Sequence, residues 1–195
     1  MLLQQLIEGV RAHTPQVFPE HSLADAAVLV AITRDEHNPE MILTLRSTQL
    51  PTHKGEVAFA GGKTDPVDVD AIATALREAQ EEVGIDPSQV EVIGMLDQVV
   101  SRFGFVVTPV FGLVDADIEL HPDPRELQAV FRVPLRYFLD TKPHIDQLGS
   151  FRVPRWQYEN FMIWGLTAMM IAQMMNQFYG AEIELQLDDV QKLLA

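Results

Sequence analysis

ALREAQEEVGI, at residues 75–85, is the most informative stretch of this 195-residue chain. Apolar side chains in and before it recur at steps of three and four residues, at Ile72, Ala75, Leu76, Ala79 and Val83. This spacing places one apolar stripe along a helix, which we predict over residues 70–83. Asp68 or Asp70 supplies a side-chain cap at its start, and Gly84 suits the left-handed position after its end.

Three glutamates of this stretch, Glu78, Glu81 and Glu82, crowd one side of the apolar stripe because they are spaced at i, i+3 and i+4. Carboxylates held close together repel one another, and their pKa values rise unless a cation lies among them. Their oxygens are hard ligands that suit Mg²⁺ or Mn²⁺. The alternative for a bare ExxEE pattern is a solvated acidic helix face with Arg77 as a salt-bridge partner.

Two glycines, Gly61 and Gly62, follow a short strand predicted at residues 57–59 and precede the helix by one loop. Glycines at such a place let the backbone approach a phosphate closely or offer a carbonyl oxygen to a metal. The alternative is a plain tight turn. The glycine pair, the acidic loop and the glutamate-rich helix together form a much rarer combination than any one of them.

Hydrophobic patterning outlines the rest of the chain. Residues 26–33 form a continuous apolar run typical of a buried strand, and residues 41–45 are predicted to be its hairpin partner. The other predicted elements are an amphipathic helix at residues 1–13, strands at 90–100 and 105–114, a helical turn with a strand at 124–133, and a second long helix at 160–179. This order predicts a mixed α/β or α+β sandwich.

Acidic residues outnumber basic ones, 28 to 14, so the formal net charge is −14. Such a chain repels polyanions at long range, which argues against sequence-independent binding of nucleic acid and against binding to an anionic membrane. Cysteine is absent, which excludes disulfides, thiolate metal ligands and a cysteine nucleophile and agrees with a cytoplasmic location. The apolar residues 161–175 are too few for a comfortable membrane span, so a buried helix is expected there.

The glutamate-rich helix resembles the signature of the Nudix hydrolase family. The matching residues are, in order, Arg77, Glu78, Ala79, Glu81, Glu82, Gly84 and Ile85. The first half of the signature departs, because Gly62 lies one residue too far from Arg77 and Val69 stands where a glutamate is expected. Acidic substitutes lie nearby, at Asp65, Asp68 and Asp70. The resemblance implies a Nudix-like α/β/α sandwich with a mixed sheet and a long C-terminal helix, forming one domain over residues 1–195 with a core at about 26–172.

The segment before the helix narrows the resemblance to the coenzyme A pyrophosphatase branch of that family. The residues that carry it are Leu43-Thr44-Leu45-Arg46-Ser47, Gly55 and Phe59-Ala60-Gly61-Gly62. The longer spacing and the Asp-rich loop are also common in that branch, and residues 158–168 are similar to its tail. Two positions depart from the branch pattern: Pro51 replaces an arginine, and Ala60 replaces a proline.

The resemblance implies metal-dependent hydrolysis of a small-molecule diphosphate. For this branch, the substrate is coenzyme A or a derivative, and the products are adenosine 3′,5′-bisphosphate and 4′-phosphopantetheine. Glu78, Glu81 and Glu82 are then the ligands of Mg²⁺ or Mn²⁺, and the carbonyl oxygen of Gly62 is a further candidate. Arg77 is expected to brace the carboxylates or the loop beside them.

The general base has two candidates in the sequence. Glu126 is similar to a late glutamate that precedes a Val-Pro-Leu segment in relatives, here residues 133–135. Its alternative is a surface glutamate at the start of a helical turn. Glu81 is the second candidate, because a carboxylate beside a metal site has the reach to accept a proton from water.

Substrate contacts are expected around the glycine pair and the strand before it. Arg46 is the first candidate for the 3′-phosphate of coenzyme A, with a strand-end salt bridge as its alternative, and Lys54 is weaker. Gly61 and Gly62 are expected to let the substrate phosphates come close. The turn at residues 101–105 either lines the base or pantetheine pocket or is only a hairpin turn.

Assembly and the exact activity stay open at this point. A homodimer is expected, with part of residues 161–175 or a strand edge at the interface, unless those residues fill one core. The competing activities are a Nudix hydrolase for another nucleoside diphosphate derivative, such as ADP-ribose or NADH, and a noncatalytic nucleotide-binding domain. Three clustered glutamates argue against the noncatalytic alternative.

Overall fold

A mixed β-sheet lies between two layers of helices in the computed structural model, which describes residues 1–18, 21–48, 55–148 and 151–185. The helices are α1 (Leu2–Ala12), α2 (Ala71–Val83), α3 (Leu135–Asp140) and α4 (Gly165–Tyr179). The strands are β1 (Ala24–Thr33), β2 (Glu40–Arg46), β3 (Val57–Ala58), β4 (Ala60–Lys63), β5 (Glu91–Met95), β6 (Val99–Val100), β7 (Phe105–Val114), β8 (Leu127–Pro134), β9 (His144–Leu148), β10 (Phe151–Tyr158) and β11 (Phe161–Ile163).

The centre of the sheet is the parallel pair of β1 and β7, in register from Ala24 opposite Phe105 to Thr33 opposite Val114. Strands follow one another in the order β3-β2-β1-β7-β5, while β4 pairs with β1, β6 with β7 and β8 with β2. A separate antiparallel sheet contains β9, β10 and β11. The continuous apolar run of β1 fits this place, because a strand covered on both faces has no polar side.

The two faces of β1 pack against different helices, which makes the architecture an α/β/α sandwich. One face contributes Ala27, Leu29 and Ala31 to a core with α2. The other contributes Val30 and Ile32 to a larger core with α1 and α4. The predicted fold class and the long C-terminal helix are therefore confirmed.

Helix α2 begins and ends close to where its sequence predicts. The side chain of Asp70 accepts a hydrogen bond from the backbone N–H of Ala73, so Asp70 is the cap. Gly84 follows the helix at φ +74°, in the left-handed region. The predicted helix at residues 70–83 is confirmed as Ala71–Val83.

The helix predicted at residues 160–179 is wrong over its first turn. Residues 161–163 form β11 instead, where Ile163 lies opposite Trp156 of β10. The ring of Phe161 stacks on that of Phe131, with 3.8 Å between centroids, so this strand is also held by side-chain packing. Gly165 then takes φ +63°, and α4 starts there.

The strand predicted at residues 90–100 is likewise divided, into β5 and β6. A register shift interrupts β5 between Val92 and Gly94. Between the two strands, the carboxylate of Asp97 accepts a hydrogen bond from the backbone of Gln16 and contacts the His13 ring at 2.7 Å. These polar contacts to the chain after α1 replace the sheet ladder at this point.

Helix α4 packs into the core of its own chain. Its buried residues are Thr167, Ala168, Met170, Ile171, Ala172, Met174, Met175 and Phe178. The surplus of apolar helix that suggested a dimer interface is thus covered within the chain, and the homodimer stays a prediction. Within the described ranges, no helix combines the length and apolar character needed to cross a membrane.

Candidate active site

Strand β4 brings the glycine pair against helix α2, and each glycine has a different neighbour. A Cβ atom at Gly62 would lie 2.5 Å from the carboxyl carbon of Glu78. A Cβ atom at Gly61 would overlap the carbonyl oxygen of Ala27 and the Cα of Val28, both on β1. The alternative of a plain tight turn is wrong, since both glycines lie in a strand that pairs with β1.

Glu82 is buried at the centre of the site, with its side chain only 3% exposed. Arg46 donates a hydrogen bond from Nη1 to Oε1 at 3.0 Å, and the backbone N–H of Gly61 donates to Oε2 at 3.1 Å. Burial raises the pKa of Glu82 to about 7. The charges of Glu126 and Glu78 act in the same direction, while Arg46 and Gly61 oppose the increase in this pKa.

Glu78 lies one helical turn before Glu82, over the space that Gly62 leaves open. Arg77 donates from Nη1 to its Oε1 at 2.9 Å. Burial raises the pKa of Glu78 as well, and the nearby carboxylates of Glu81 and Glu126 add to that increase. The buried Glu82 and the partly buried Glu78 therefore share a region where negative charge is costly.

Arg77 ties the helix to the loop that precedes it. Its Nε and Nη2 donate to the two oxygens of Asp68 at 3.0 and 2.9 Å, and Nη2 also donates to the carbonyl oxygen of Lys63 at 3.0 Å. The hydrogen bonds from Arg77 hold the pKa of Asp68 well below its usual range, with help from the backbone N–H of Asp65. Asp68 is thus the partner that orients Arg77, in place of the glutamate missing at position 69.

Glu126 joins the same cluster from the other side of the site. The backbone N–H of Ser47, just after β2, donates to its carbonyl oxygen at 2.8 Å. The N–H of Asp123, three residues earlier, donates to the carbonyl oxygen of Glu82 at 2.9 Å. These bonds hold the turn before β8 against the ends of β2 and α2, and the charge of Glu126 raises the pKa of both Glu78 and Glu82.

Glu81 lies at the edge of this arrangement. Its side chain is 60% exposed, and Oε2 accepts a hydrogen bond from Nη1 of Arg77 at 3.4 Å. It is therefore placed to act on groups that approach from solvent, whereas Glu78 and Glu82 lie in the interior of the site.

Arg46 is the last residue of β2, at a register shift in the pairing of β2 with β8. Its backbone N–H donates to the carbonyl oxygen of Glu56 at 3.0 Å. Its Nε is buried and finds no hydrogen-bond partner in the part of the chain that the structure describes. The strand-end salt bridge is the contact seen, and its acceptor is the buried Glu82. Lys54, the other predicted phosphate contact, lies outside the described residues.

The donors gathered here fit a hard divalent cation, because they are carboxylate oxygens whose mutual repulsion a cation would relieve. Among the described residues, no three acidic or histidine side chains already converge as a metal cage. Arg46 pairs with Oε1 of Glu82 and Arg77 with Oε1 of Glu78, while Oε2 of Glu82 accepts the N–H of Gly61. Glu78, Glu82 and the exposed Glu81 are the side chains available to hold an ion.

Two residues of the site were not singled out from the sequence. The carbonyl oxygen of Glu56 accepts a hydrogen bond from the backbone N–H of Arg46. Its position directly after Gly55 in the Gly-rich segment could have indicated this residue from the sequence. Asp123 contacts the end of α2, and its signal was the turn pattern of a residue between Pro122 and Pro124.

The chain also matches known proteins in sequence. The family model described as NUDIX domain matches residues 23–152. An Escherichia fergusonii protein named uncharacterized Nudix hydrolase NudL is 45% identical over 154 residues, covering 76% of this chain and 80% of that protein. A Shigella sonnei protein of the same name is 40% identical over 180 residues, covering 89% and 93%.

Solved structures show the same fold at low sequence identity. The Nudix hydrolase RenU from M. smegmatis superposes with a TM-score of 0.56 at 15% identity, covering 84% of this chain and 89% of that one. The C. elegans Ap4A hydrolase binary complex gives a TM-score of 0.50 at 19% identity, covering 60% and 85%.

Proposed function

Because the chain belongs to the Nudix hydrolase family, we propose that it cleaves the diphosphate of coenzyme A or a derivative with the help of Mg²⁺ or Mn²⁺. The products are adenosine 3′,5′-bisphosphate and 4′-phosphopantetheine. One observation carries the hydrolase part of the proposal: Glu78 lies against Gly62, Glu82 accepts the N–H of Gly61, and the charge of Glu126 raises the pKa of both glutamates. The coenzyme A part rests on the resemblance of residues 43–62 to the motif of that branch.

Glu78, Glu81 and Glu82 are the proposed metal ligands. When bound, a divalent cation offsets the charge of the diphosphate and makes water more acidic. Asp68 keeps Arg77 in place through two hydrogen bonds, and Arg77 in turn fixes the position of Glu78. This network positions the carboxylates before substrate arrives, which lowers the cost of organising them during the reaction.

Glu126 is the proposed general base. It takes a proton from water while the water oxygen bonds to phosphorus, and the bond from phosphorus to the bridging oxygen breaks. The bridging oxygen leaves with the second phosphate. Glu126 is preferred over Glu81 because its charge acts on both interior glutamates, whereas Glu81 is largely exposed and contacts Arg77.

Arg46 is the proposed contact to the diphosphate itself. Its guanidinium donates to Glu82 at 3.0 Å, and its buried Nε–H has no acceptor among the described residues. A phosphate oxygen beside Glu82 would accept that bond and replace the carboxylate as the partner of the guanidinium. The contact to a 3′-phosphate then falls to Lys54.

A second candidate function follows from the same placement. Because Arg46 contacts Glu82, a proposed metal ligand, we expect its guanidinium to contact the diphosphate. Every nucleoside diphosphate derivative has a diphosphate, whereas the 3′-phosphate distinguishes coenzyme A from ADP-ribose and NADH. ADP-ribose and NADH are therefore the competing substrates. The noncatalytic alternative is disfavoured because a binding module has no use for this group of neighbouring carboxylates.

The deciding experiment is hydrolysis of coenzyme A, dephospho-coenzyme A, ADP-ribose and NADH, with Mg²⁺ or Mn²⁺ and with products separated by chromatography. We expect coenzyme A to be cleaved with the highest kcat/KM and excess chelator to abolish turnover. If ADP-ribose is cleaved faster than coenzyme A, then ADP-ribose is the substrate and the coenzyme A assignment is wrong. Full activity in chelator would overturn the metal-dependent mechanism.

A matched pair of variants checks the ligand assignment in the same assay. Glu82→Gln keeps the size of the side chain and removes its charge, so kcat should fall by at least about a hundredfold, since even the partners of metal ligands contribute ten- to a hundredfold. Glu81→Gln, at the exposed edge, should lose less. A near-normal rate for Glu82→Gln would remove Glu82 from the proposed ligands.

Residues 1–195 are proposed to act as one domain on a small-molecule diphosphate, not on nucleic acid, because the chain carries a net charge of −14. A cytoplasmic location and a homodimer stay predictions. Sedimentation at micromolar concentration would decide between the homodimer and a monomer.

A further inference from the structure

A guanidinium flanked by aromatic rings lies on the surface beside the active site. The Cζ atom of Arg102 lies 4.7 Å from the ring centroid of Phe103 and 5.4 Å from that of Trp164. Its Nη2 donates to a carboxylate oxygen of Glu56 at 2.8 Å. We call these four residues, Glu56, Arg102, Phe103 and Trp164, the Arg102 cluster.

A single residue, Arg46, connects the Arg102 cluster to the carboxylates of the active site. Glu56 accepts the backbone N–H of Arg46 at 3.0 Å, and Arg46 reaches Glu82 at 3.0 Å with its side chain. The hydroxyl of Thr167, in the first turn of α4, donates to the carbonyl oxygen of Val57 at 2.9 Å. This bond holds the start of α4, and with it Trp164, beside the strand that follows Glu56.

The cluster is open to solvent, which a purely structural contact would not require. The side chain of Arg102 is 62% exposed, Phe103 is 44% exposed, and Trp164 is half-buried. Cation–π contacts at exposed sites are weak. The rings therefore hold the guanidinium weakly. A ligand that stacks better, and that offers Arg102 a phosphate in exchange for Glu56, can displace it.

A purine base has the chemistry to take that place. It is planar like the guanidinium, and bases stack on aromatic side chains through faces that all of them share. Once Arg102 leaves, the carboxylate of Glu56 is an acceptor beside the rings, and adenine carries an exocyclic amine that donates. The freed Arg102 supplies a positive charge for the phosphates of the same ligand.

We propose that the Arg102 cluster is a base subsite in which adenine stacks on Phe103 and Trp164 and donates from its amine to Glu56. The inference rests on the proposed function in that the adenine belongs to the diphosphate substrate. It goes beyond that function by giving these four residues a role in choosing the nucleoside.

Binding of AMP and of ribose 5-phosphate, measured by calorimetry, tests the subsite without catalysis. Trp164→Ala and Phe103→Ala should weaken AMP binding about tenfold or more and leave ribose 5-phosphate unchanged, because only AMP has a base to stack. Trp164→Phe keeps a ring and should retain most of the affinity. Val67→Ala, an exposed apolar residue in another loop, is the control and should bind AMP normally.

The role of Glu56 has its own readout. The wild-type protein should bind AMP more tightly than IMP, which has a carbonyl oxygen where AMP has the amine. Glu56→Gln should reduce this preference, because an amide can donate to that oxygen. An unchanged preference would overturn the assignment of Glu56.

The two proposals fail in different ways. AMP binding that depends on Trp164 and Phe103, in a protein that hydrolyses no diphosphate, would keep the subsite and reject the proposed function. Diphosphate hydrolysis with AMP binding that is absent, or equal in wild type and both alanine variants, would keep the hydrolase and overturn the subsite. Circular dichroism melts show whether each variant is folded.

Discussion

The neighbouring glycines of β4 serve different purposes, and a methyl group would act differently at each. At Gly62 the atoms in the way belong to the end of the Glu78 side chain, which can move. At Gly61 they belong to the backbone of β1, which cannot move without breaking the strand pairing. Gly62 therefore leaves room for a side chain of the site, and Gly61 allows β4 to pack closely on β1.

Gly62→Ala should yield a folded protein with low activity. The added methyl group pushes the Glu78 carboxylate from its place, so we expect kcat to fall by about tenfold or more while the melting temperature changes little. Gly61→Ala is the comparison variant. Its methyl group meets the backbone of β1, so we expect a lower melting temperature. Equal activity of Gly62→Ala and wild type would mean that the position of Glu78 is not critical.

Arg46→Ala should lower kcat/KM for coenzyme A and for dephospho-coenzyme A to the same degree. A charge-assisted hydrogen bond contributes about 1.5–3 kcal/mol, which corresponds to a loss in kcat/KM of roughly ten- to a hundredfold. Because Arg46 contacts the buried Glu82, we expect its partner to be the diphosphate, which both substrates have. A loss confined to coenzyme A would assign Arg46 to the 3′-phosphate instead.

Helical spacing predicted that Glu78, Glu81 and Glu82 share one side of the helix, because positions on a helix are fixed by its period. It could not predict that Glu82 is buried while Glu81 stays largely exposed, because that depends on what packs against the helix. The partner of Arg77 could not be chosen in the same way. Three aspartates were available, and only the path of the loop from β4 to α2 brings Asp68 to the guanidinium. The pairing of Arg46 with Glu82 likewise depends on the register shift at the end of β2, which leaves no local signal.

At the scale of elements, predictions succeeded where local signals and packing agree. Helix α2 has a cap, an apolar stripe and a terminal glycine, and its bounds were predicted to within one residue. Residues 161–163 are as apolar as the helix that follows, so composition could not separate them from it. Pairing with β10 and the stacking of Phe161 on Phe131 favour the strand, and both partners are distant in sequence.

Asp70→Ala tests how far α2 depends on its cap. The side chain of Asp70 accepts the N–H of Ala73, and loss of such a cap typically costs about 1 kcal/mol. We expect a lower midpoint of denaturant unfolding with an unchanged slope. Asp117→Ala, an exposed carboxylate outside any helix, is the control and should leave the midpoint in place. Equal midpoints for both variants would show that tertiary packing alone holds the start of α2.

At the scale of the whole molecule, the net charge of −14 opposes the approach of an anionic substrate. The range of this repulsion shortens from about 30 Å at 0.01 M salt to about 8 Å at 0.15 M. We therefore expect kcat/KM to rise about two- to fivefold over this range at constant free Mg²⁺. Sodium chloride and potassium acetate should act alike. A steep fall would mean that local cations such as Arg46 and Arg102 dominate the field.

The parallel pairing of β1 with β7 has a consequence for how the protein is made. The two strands begin at Ala24 and Phe105, so the centre of the sheet joins segments far apart in the chain, and closing such a loop slows folding. During translation β1 leaves the ribosome long before β7 exists, and its apolar run then has only short hairpin neighbours. This strand is thus where a chaperone would bind the nascent chain, and where premature association between unfinished copies would begin.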